Sequence, residues 1–124
     1  MKVESIYHPR VVTVQADERL ATAAARMEDH QVRSLVVLDW HGLVGILTEH
    51  DLARAVADGA EAELVTVREY MTEQPATVTL DTDVHEATRL MLELDCRHLP
   101  VVHGGGVVGM VSLRDLVGSV LQAT

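Results

Sequence analysis

The residues of this sequence best suited to chemistry form one pattern that occurs twice. The pattern is Gly-apolar-apolar-Thr/Ser-x-x-Asp, running from Gly45 to Asp51 and again from Gly109 to Asp115. If each copy lies where a strand passes into a helix, the free N–H groups and positive dipole end of the helix attract a phosphate. The hydroxyl can hydrogen-bond a phosphate or ribose oxygen, and the aspartate can accept from both hydroxyls of a ribose.

The same pattern also has a purely structural interpretation. A Thr or Ser at an N-cap with an acid three residues later is a capping box, which satisfies helix N–H groups without any ligand. The glycine either lets a ligand approach the backbone or marks a tight contact between strand and helix. The pattern by itself leaves both interpretations open.

The two patterns belong to a longer internal repeat, because equivalent positions are separated by 64 residues without a gap. One copy of about 60 residues would bury too little surface to be robust alone, so we expect the two copies to pack by pseudo-twofold symmetry around a shared core. The repeated residues are Thr13/Thr77, Val14/Val78, Asp17/Asp81, Ala23/Ala87, Met27/Met91, Arg33/Arg97, Leu35/Leu99, Val37/Val101, Gly42/Gly106, Val44/Val108, Gly45/Gly109, Asp51/Asp115 and Leu52/Leu116.

Each copy reads as a β-α-β-β-α unit, so the predicted fold class is α/β (α+β) with two tandem units. We expect the first unit at residues 1–60, a linker at 61–66 and the second unit at 67–124. Asp17 and Asp81 are the predicted N-caps of the first helices. The other predicted elements are strands at 11–15, 34–38, 43–47, 76–79, 98–103 and 107–111, helices at 49–58 and 113–121, and a short helical lead-in at 67–72.

Composition excludes several classes of function. The net charge is −9, and Lys2 is the only lysine. Because nucleic-acid and anionic-membrane binding rest on basic patches, neither partner is expected. With a single cysteine, Cys96, no intrachain disulfide can form. Without a signal segment or a long apolar run, the expected location is the cytoplasm.

Nothing in the sequence predicts an enzyme. No nucleophile and base stand at a justified spacing, and there is no Gly-x-Gly-x-x-Gly loop. The seven histidines are scattered, so no metal site is expected. Cys96 is expected to be a small buried apolar side chain, and Trp40 an exposed residue of a hairpin turn.

The duplicated pattern, Arg97-His98-Leu99-Pro100-Val101-Val102 before the second hairpin and Val67-Arg68-Glu69-Tyr70-Met71-Thr72 at the start of the second copy together resemble the cystathionine-β-synthase (CBS) domain family. The resemblance covers nearly the whole chain as a tandem pair. It implies a regulatory module with two clefts that bind an adenine nucleotide (AMP, ADP or ATP) or S-adenosylmethionine, with no required cofactor.

The resemblance also implies how the two clefts are composed, each from both copies. Aspartates would hold the ribose, hydroxyls the phosphate side, and basic side chains the phosphate charge. One cleft would combine Thr48 and Asp51 with Thr77, Val78, Arg97, His98 and Leu99. The other would combine Ser112 and Asp115 with Thr13, Val14, Arg33, Ser34 and Leu35.

This sequence departs from the family pattern at Val36, where the second copy has Pro100, and at Ser34, often a basic position. These departures weaken the expectation of a phosphate site at Asp115. Arg33 and Arg97 could equally be surface residues paired with acids, and His98 a structural histidine.

Leu90, Leu92 and Leu94 add apolar surface to the second copy's first helix, which favours a homodimer over a helix buried on two sides. An unknown effector protein is a further possible partner. The alternative function is a dimerisation or protein-interaction module whose clefts stay empty.

Overall fold

The computed structural model describes residues 1–123, with only the backbone of residues 122 and 123. Thr124, the last residue of the predicted second unit, lies outside the described residues. The elements in chain order are β1 (Thr13–Gln15), α1 (Leu20–His30), β2 (Ser34–Asp39), β3 (Gly42–Thr48), α2 (Glu49–Ala57), β4 (Thr72–Glu73), β5 (Val78–Thr79), α3 (Val84–Leu94), β6 (His98–His103), β7 (Gly106–Ser112) and α4 (Leu113–Ala123). The predicted mixed α/β fold with a repeated β-α-β-β-α order is confirmed.

The chain forms two sheets, each built around three strands of one repeat, and β4 from the second repeat completes the first sheet. The first has the order β1-β2-β3-β4 and the second the order β5-β6-β7. In both sheets the first two strands are parallel, so a helix must cross between them: α1 in the first repeat and α3 in the second. The next two strands form an antiparallel hairpin in each repeat.

Glycine shapes both hairpin turns, as the sequence predicts. In the second repeat Gly104 and Gly105 connect β6 to β7 with φ of +60° and +83°, values that suit a two-residue hairpin turn. In the first repeat Trp40 and His41 form the turn and Gly42 follows at φ +97°. Trp40 is fully exposed, which confirms its prediction as a turn residue.

The two compact units of the structure do not follow the repeats along the sequence. Residues 12–75 form one unit, and residues 1–11 together with 76–123 form the other. Each unit therefore contains three strands and two helices of one repeat and the lead-in segment of the other. We call residues 1–11 the first lead-in and residues 67–75 the second lead-in, and each carries one short 3-10 helix, at Val3–Ser5 and Val67–Glu69.

Each unit has its own hydrophobic cluster. The two repeats both contribute to each cluster, because the lead-ins are exchanged between them. Val67 and Met71 of the second lead-in pack with the first repeat, and Val3 of the first lead-in packs with the second. Both clusters are aliphatic, as a sequence without phenylalanine requires. The buried residues of the 12–75 unit are Val14, Ala16, Leu20, Ala23, Met27, Leu35, Val37, Leu47, Ala55, Val67 and Met71; those of the other unit are Val3, Val78, Ala87, Met91, Leu99, Val101, Val111 and Leu116.

The predicted N-caps Asp17 and Asp81 are wrong. Helix α1 has Arg19 at its N-cap, and the amides of Leu20 and Ala21 donate to backbone carbonyls of residues 65 and 62 at 2.9 Å. Backbone from the segment between the repeats thus satisfies the first turn, and no side-chain cap is needed.

In the second repeat the cap lies two residues later than predicted. Asp83 is the N-cap of α3, and its carboxylate accepts a hydrogen bond from the amide of His85 at 2.8 Å. That bond, favouring the charged carboxylate, holds the pKa of Asp83 below its ordinary value.

Candidate functional site

The first motif lies where β3 passes directly into α2. Thr48 is the N-cap of α2, and its amide and hydroxyl both donate to Oδ2 of Asp51, at 2.8 and 3.2 Å. This is the capping box that the structural interpretation predicts. Asp51 is only 6% exposed, so its carboxylate lies in a mostly dry position where partners must compensate its charge.

A second partner of Asp51 comes from the next turn of the same helix. Nη2 of Arg54 lies 3.2 Å from Asp51 Oδ1 and donates to the Tyr70 carbonyl at 2.8 Å. The guanidinium also lies over the Tyr70 ring, 5.2 Å from its centre. The Tyr70 hydroxyl donates to Asp58 at 2.9 Å, which raises the pKa of the phenol. Arg54 therefore ties the Asp51 carboxylate to the second lead-in.

The second motif repeats the capping box and changes the second partner. The amide and hydroxyl of Ser112 donate to Oδ2 of Asp115 at 2.9 and 2.8 Å, and the Asp115 amide donates back to the hydroxyl at 3.2 Å. Oδ1 of Asp115 lies 2.8 Å from Nε2 of His8. The Asp115 side chain is 13% exposed and His8 70%. In this motif a histidine of the first lead-in replaces the helix arginine.

The repeated glycines, Gly45 and Gly109, leave room for the lead-ins to approach their strands. A Cβ at Gly45 would lie 2.5 Å from Met71 Sδ and 2.9 Å from the Thr72 carbonyl oxygen. A Cβ at Gly109 would lie 2.3 Å from the His8 carbonyl oxygen. Each glycine therefore admits the backbone of the lead-in that pairs with its strand. Of the two alternatives for the glycines, the tight contact between strand and helix is wrong, because the neighbour is the exchanged segment.

Three further predicted residues lie at the same end of the 12–75 unit as Thr48. Ser34 is paired with Thr48 across β2 and β3, and the Arg33 carbonyl accepts from the first amide of α2 at 3.2 Å. Thr13 begins β1 beside β2. The Arg33 side chain is 65% exposed and lies 3.9 Å from Glu49, a distance at which an exposed pair contributes little.

The other unit brings together the equivalent group around Ser112. His98 is paired with Ser112 across β6 and β7, and the Arg97 carbonyl accepts from the Leu113 amide at 2.8 Å. Thr77 precedes β5, beside β6. Arg97 and Thr77 are exposed, and His98 is half-buried.

The four apolar residues predicted for the clefts are part of the hydrophobic clusters. Val14, Leu35, Val78 and Leu99 are each no more than 3% exposed. Their side chains pack inside the two clusters and are closed to solvent. The assignment of each motif to a cleft with residues of the other repeat remains a prediction.

His8 and Arg54 were missed by the sequence reasoning. Their repeat equivalents are Thr72 and Gly118, so neither position stands out in the repeat. The repeated aspartates do indicate that such partners exist, since a buried carboxylate requires a partner. Only the fold shows which side chain supplies it.

Within residues 1–123, no group of three or more His, Cys, Asp or Glu side chains is placed to hold a metal ion. Over the same residues, no helix is long and apolar enough to cross a membrane. Cys96 is partly buried, and this burial raises the pKa of its thiol. A thiol in that state is a poor nucleophile at neutral pH.

Comparison with known proteins gives one family. The family model of the CBS domain matches residues 3–58 and 67–122. An uncharacterised 17.7 kDa protein of Acidianus ambivalens is 38% identical over 123 residues, which covers 98% of this chain and 74% of that protein.

Two solved structures show the same fold over nearly the whole chain. A putative signal-transduction protein with CBS domains from Burkholderia ambifaria is 31% identical, with a TM-score of 0.92 and coverage of 98% of this chain and 95% of that one. The CBS domain pair of protein MJ0100, in complex with 5′-methylthioadenosine and S-adenosyl-L-methionine, is 26% identical, with a TM-score of 0.90 and coverage of 100% and 98%.

Proposed function

The chain belongs to the CBS domain family as a tandem pair, and we propose that it is a regulatory module that binds an adenosine-derived ligand at the Asp51 and Asp115 motifs. The single observation that carries this proposal is that each unit places a helix N-terminus, a hydroxyl and a largely buried carboxylate at one end of its sheet. The candidate ligands are AMP, ADP, ATP and S-adenosylmethionine.

The chemistry of the motif fits a nucleoside. Each capping-box aspartate uses Oδ2 for the cap, and Oδ1 contacts one further side chain, Arg54 in the first motif and His8 in the second. A carboxylate oxygen has two acceptor positions, so a ribose hydroxyl can bind Oδ1 beside that side chain or displace it. Arg33 and Arg97 are exposed beside the helix N-termini and would neutralise a phosphate or carboxylate on the ligand.

The complex of protein MJ0100 with two adenosine-derived ligands supports this choice of ligand class. A ligand changes the behaviour of the module only if it binds one conformation more tightly than another. We propose a regulatory and not a catalytic role, with the response passed to an effector protein or domain.

Thermal unfolding with a panel of ligands tests the proposal. A ligand at 100 times its Kd should stabilise the protein by about 2.7 kcal/mol, or about 10 °C in Tm for a chain of this size. The panel is AMP, ADP, ATP, S-adenosylmethionine and 5′-methylthioadenosine, with GTP as the control for the base. We expect a shift with at least one adenosine compound, and a smaller one in Asp51→Ala.

A matched control separates loss of binding from loss of a helix cap. Glu69 closes a second capping box, accepting from the Thr66 amide at 2.7 Å and from its hydroxyl at 3.3 Å. Glu69→Ala removes the same kind of cap outside both motifs, so its ligand-induced shift should equal that of the wild type. If no compound shifts Tm, or if Asp51→Ala and Glu69→Ala respond alike, the ligand proposal is wrong and the empty interaction module becomes the better account.

We also propose that the module is a homodimer through helices α3 and α4, which pack against each other in one unit. Their outer surface carries exposed apolar side chains at Leu92 (74%), Val117 (51%) and Val120 (61%). The last two are three residues apart on one helix face, and a patch of this kind requires a partner.

Analytical ultracentrifugation of Leu92→Glu and Val120→Glu tests the dimer. Both variants should sediment as monomers, because a charge would be buried without a partner at the interface. Leu64 is 66% exposed in the other unit, so Leu64→Glu is the control and should sediment as the wild type. A monomeric wild type, or dimers in all three variants, would contradict the proposed interface.

A further inference from the structure

The two motifs differ in the side chain that contacts Oδ1 of the aspartate. In the first motif it is Arg54, a side chain that stays charged at any pH a protein tolerates. In the second it is His8, whose residue type changes charge between about pH 5 and pH 8. This difference distinguishes the two repeats, because the repeat equivalents of Arg54 and His8 are Gly118 and Thr72.

From this contact we propose that His8 is a residue of the Asp115 ligand site, where it competes with a ligand hydroxyl for Oδ1 and weakens binding as the pH falls. The inference rests on the proposed function, since it assigns a pH response to one of the two sites. The two sites of one chain would then differ in how strongly their ligand affinity depends on pH.

The position of His8 is fixed by backbone pairing. Its amide donates to the Met110 carbonyl at 2.8 Å, and the Met110 amide donates to its carbonyl at 2.9 Å. Gly109 leaves room for this pairing. The first lead-in is thus held beside β7 with the imidazole over the N-terminal turn of α4, 2.8 Å from Asp115 Oδ1.

The charged surroundings of His8 determine the sign of the effect. From β7, Met110 and Gly109 bring no charge. From α4 the Asp115 carboxylate faces the imidazole, and on its own segment the charged neighbour in sequence is Arg10. Protonation of His8 places a positive charge 2.8 Å from Oδ1 of Asp115 and makes this contact an ion pair. A ribose hydroxyl then competes less well for Oδ1.

The exposure of His8 limits the change in ligand affinity and allows a ligand to displace the imidazole. With 70% of its side chain exposed, the imidazole can swing into water when a ligand enters. Solvent screens its attraction to Asp115. Because an exposed ion pair contributes little, we expect a change in affinity of about threefold, and not of orders of magnitude, on protonation.

The probe for the test is 5′-methylthioadenosine, because it carries no phosphate or carboxylate that could itself respond to a charged histidine. Binding is measured by calorimetry at about pH 8 and about pH 5.5, on either side of the ordinary histidine pKa. The Asp51→Ala background isolates the Asp115 site, and the Asp115→Ala background isolates the Asp51 site. Asp51→Asn replaces Asp51→Ala if the alanine variant does not fold, as checked by circular dichroism at both pH values.

At the isolated Asp115 site the Kd should be about threefold higher at the lower pH. His8→Gln, which keeps a neutral hydrogen-bond donor, should remove this dependence. The isolated Asp51 site, where Arg54 stays charged, should show none.

Binding at the Asp115 site that is independent of pH, or that keeps its pH dependence in His8→Gln, overturns the role of His8 and leaves the proposed function intact. Absence of binding at both sites and both pH values overturns the proposed function and the inference with it.

Discussion

Substitution of Gly109 by alanine is expected to detach the first lead-in from β7. The new Cβ would lie 2.3 Å from the His8 carbonyl oxygen and 2.5 Å from Cδ2 of Tyr7. Neither neighbour can withdraw freely, because the two backbone hydrogen bonds between His8 and Met110 hold the segment at 2.8 and 2.9 Å. The substitution therefore acts on the backbone pairing itself.

The magnitude follows from two contributions. Overpacking of a buried position costs about 1 to 3 kcal/mol, and weakening two hydrogen bonds costs about 0.5 to 1.5 kcal/mol each. We expect Gly109→Ala to lower the free energy of unfolding by about 3 kcal/mol, or Tm by about 10 °C. At Gly45 the nearest atom is the flexible Met71 Sδ, and the nearest backbone atom, the Thr72 carbonyl oxygen, would lie 2.9 Å away. Gly45→Ala should therefore lose less, about 1 to 2 kcal/mol.

Urea unfolding followed by circular dichroism measures these differences, and two other glycines supply the controls. A Cβ at Gly106 or Gly118 would meet nothing within 4 Å. Gly106→Ala should be within about 0.5 kcal/mol of the wild type. Gly118→Ala, inside α4, should be more stable by about 0.8 kcal/mol because alanine favours the helix. A Gly109→Ala variant as stable as Gly106→Ala would refute the exchanged packing of the lead-in.

Three smaller predictions concern single side chains. Arg54→Met should lower the free energy of unfolding by about 1 to 2 kcal/mol in urea titrations, since it leaves the buried Asp51 with its cap alone; the half-exposed position of Arg54 keeps the loss below that of a fully buried pair. Asp83→Ala should lower Tm at neutral pH. The lowered pKa of Asp83 means that its cap stabilises the protein above the ordinary carboxyl range, so the difference from wild type should close as the pH falls through the lowered pKa. Cys96, with its raised pKa, should react with a thiol reagent at neutral pH much more slowly than free cysteine does, and faster after unfolding.

The sequence predicts the elements well because the repeat doubles each local signal. The strands Ser34–Asp39 and His98–His103 and the turn at Gly104 and Gly105 agree within a residue or two with the predicted bounds. The capping box at Thr48 was also foreseen, because its residues lie within one helical turn and need no tertiary contact to interact.

The interactions that depend on the exchanged segments could not be predicted. A repeat shows that Val3 and Val67 are equivalent, but it does not show which copy each one packs against. The start of α1 was misplaced for the same reason, since backbone from the segment before Val67 satisfies its first amides. His8 reaches Asp115 only through this exchange, which explains why no local pattern indicated the contact.

The central claim is that Asp51 and Asp115 bind an adenosine-derived ligand, and isothermal titration calorimetry tests it most directly. The wild type should bind at least one of 5′-methylthioadenosine, S-adenosylmethionine and AMP. The double variant Asp51→Ala/Asp115→Ala should bind none of them, while Glu69→Ala binds as the wild type does. A wild type that binds none of these compounds, or a double variant that binds as tightly as the wild type, would contradict the account.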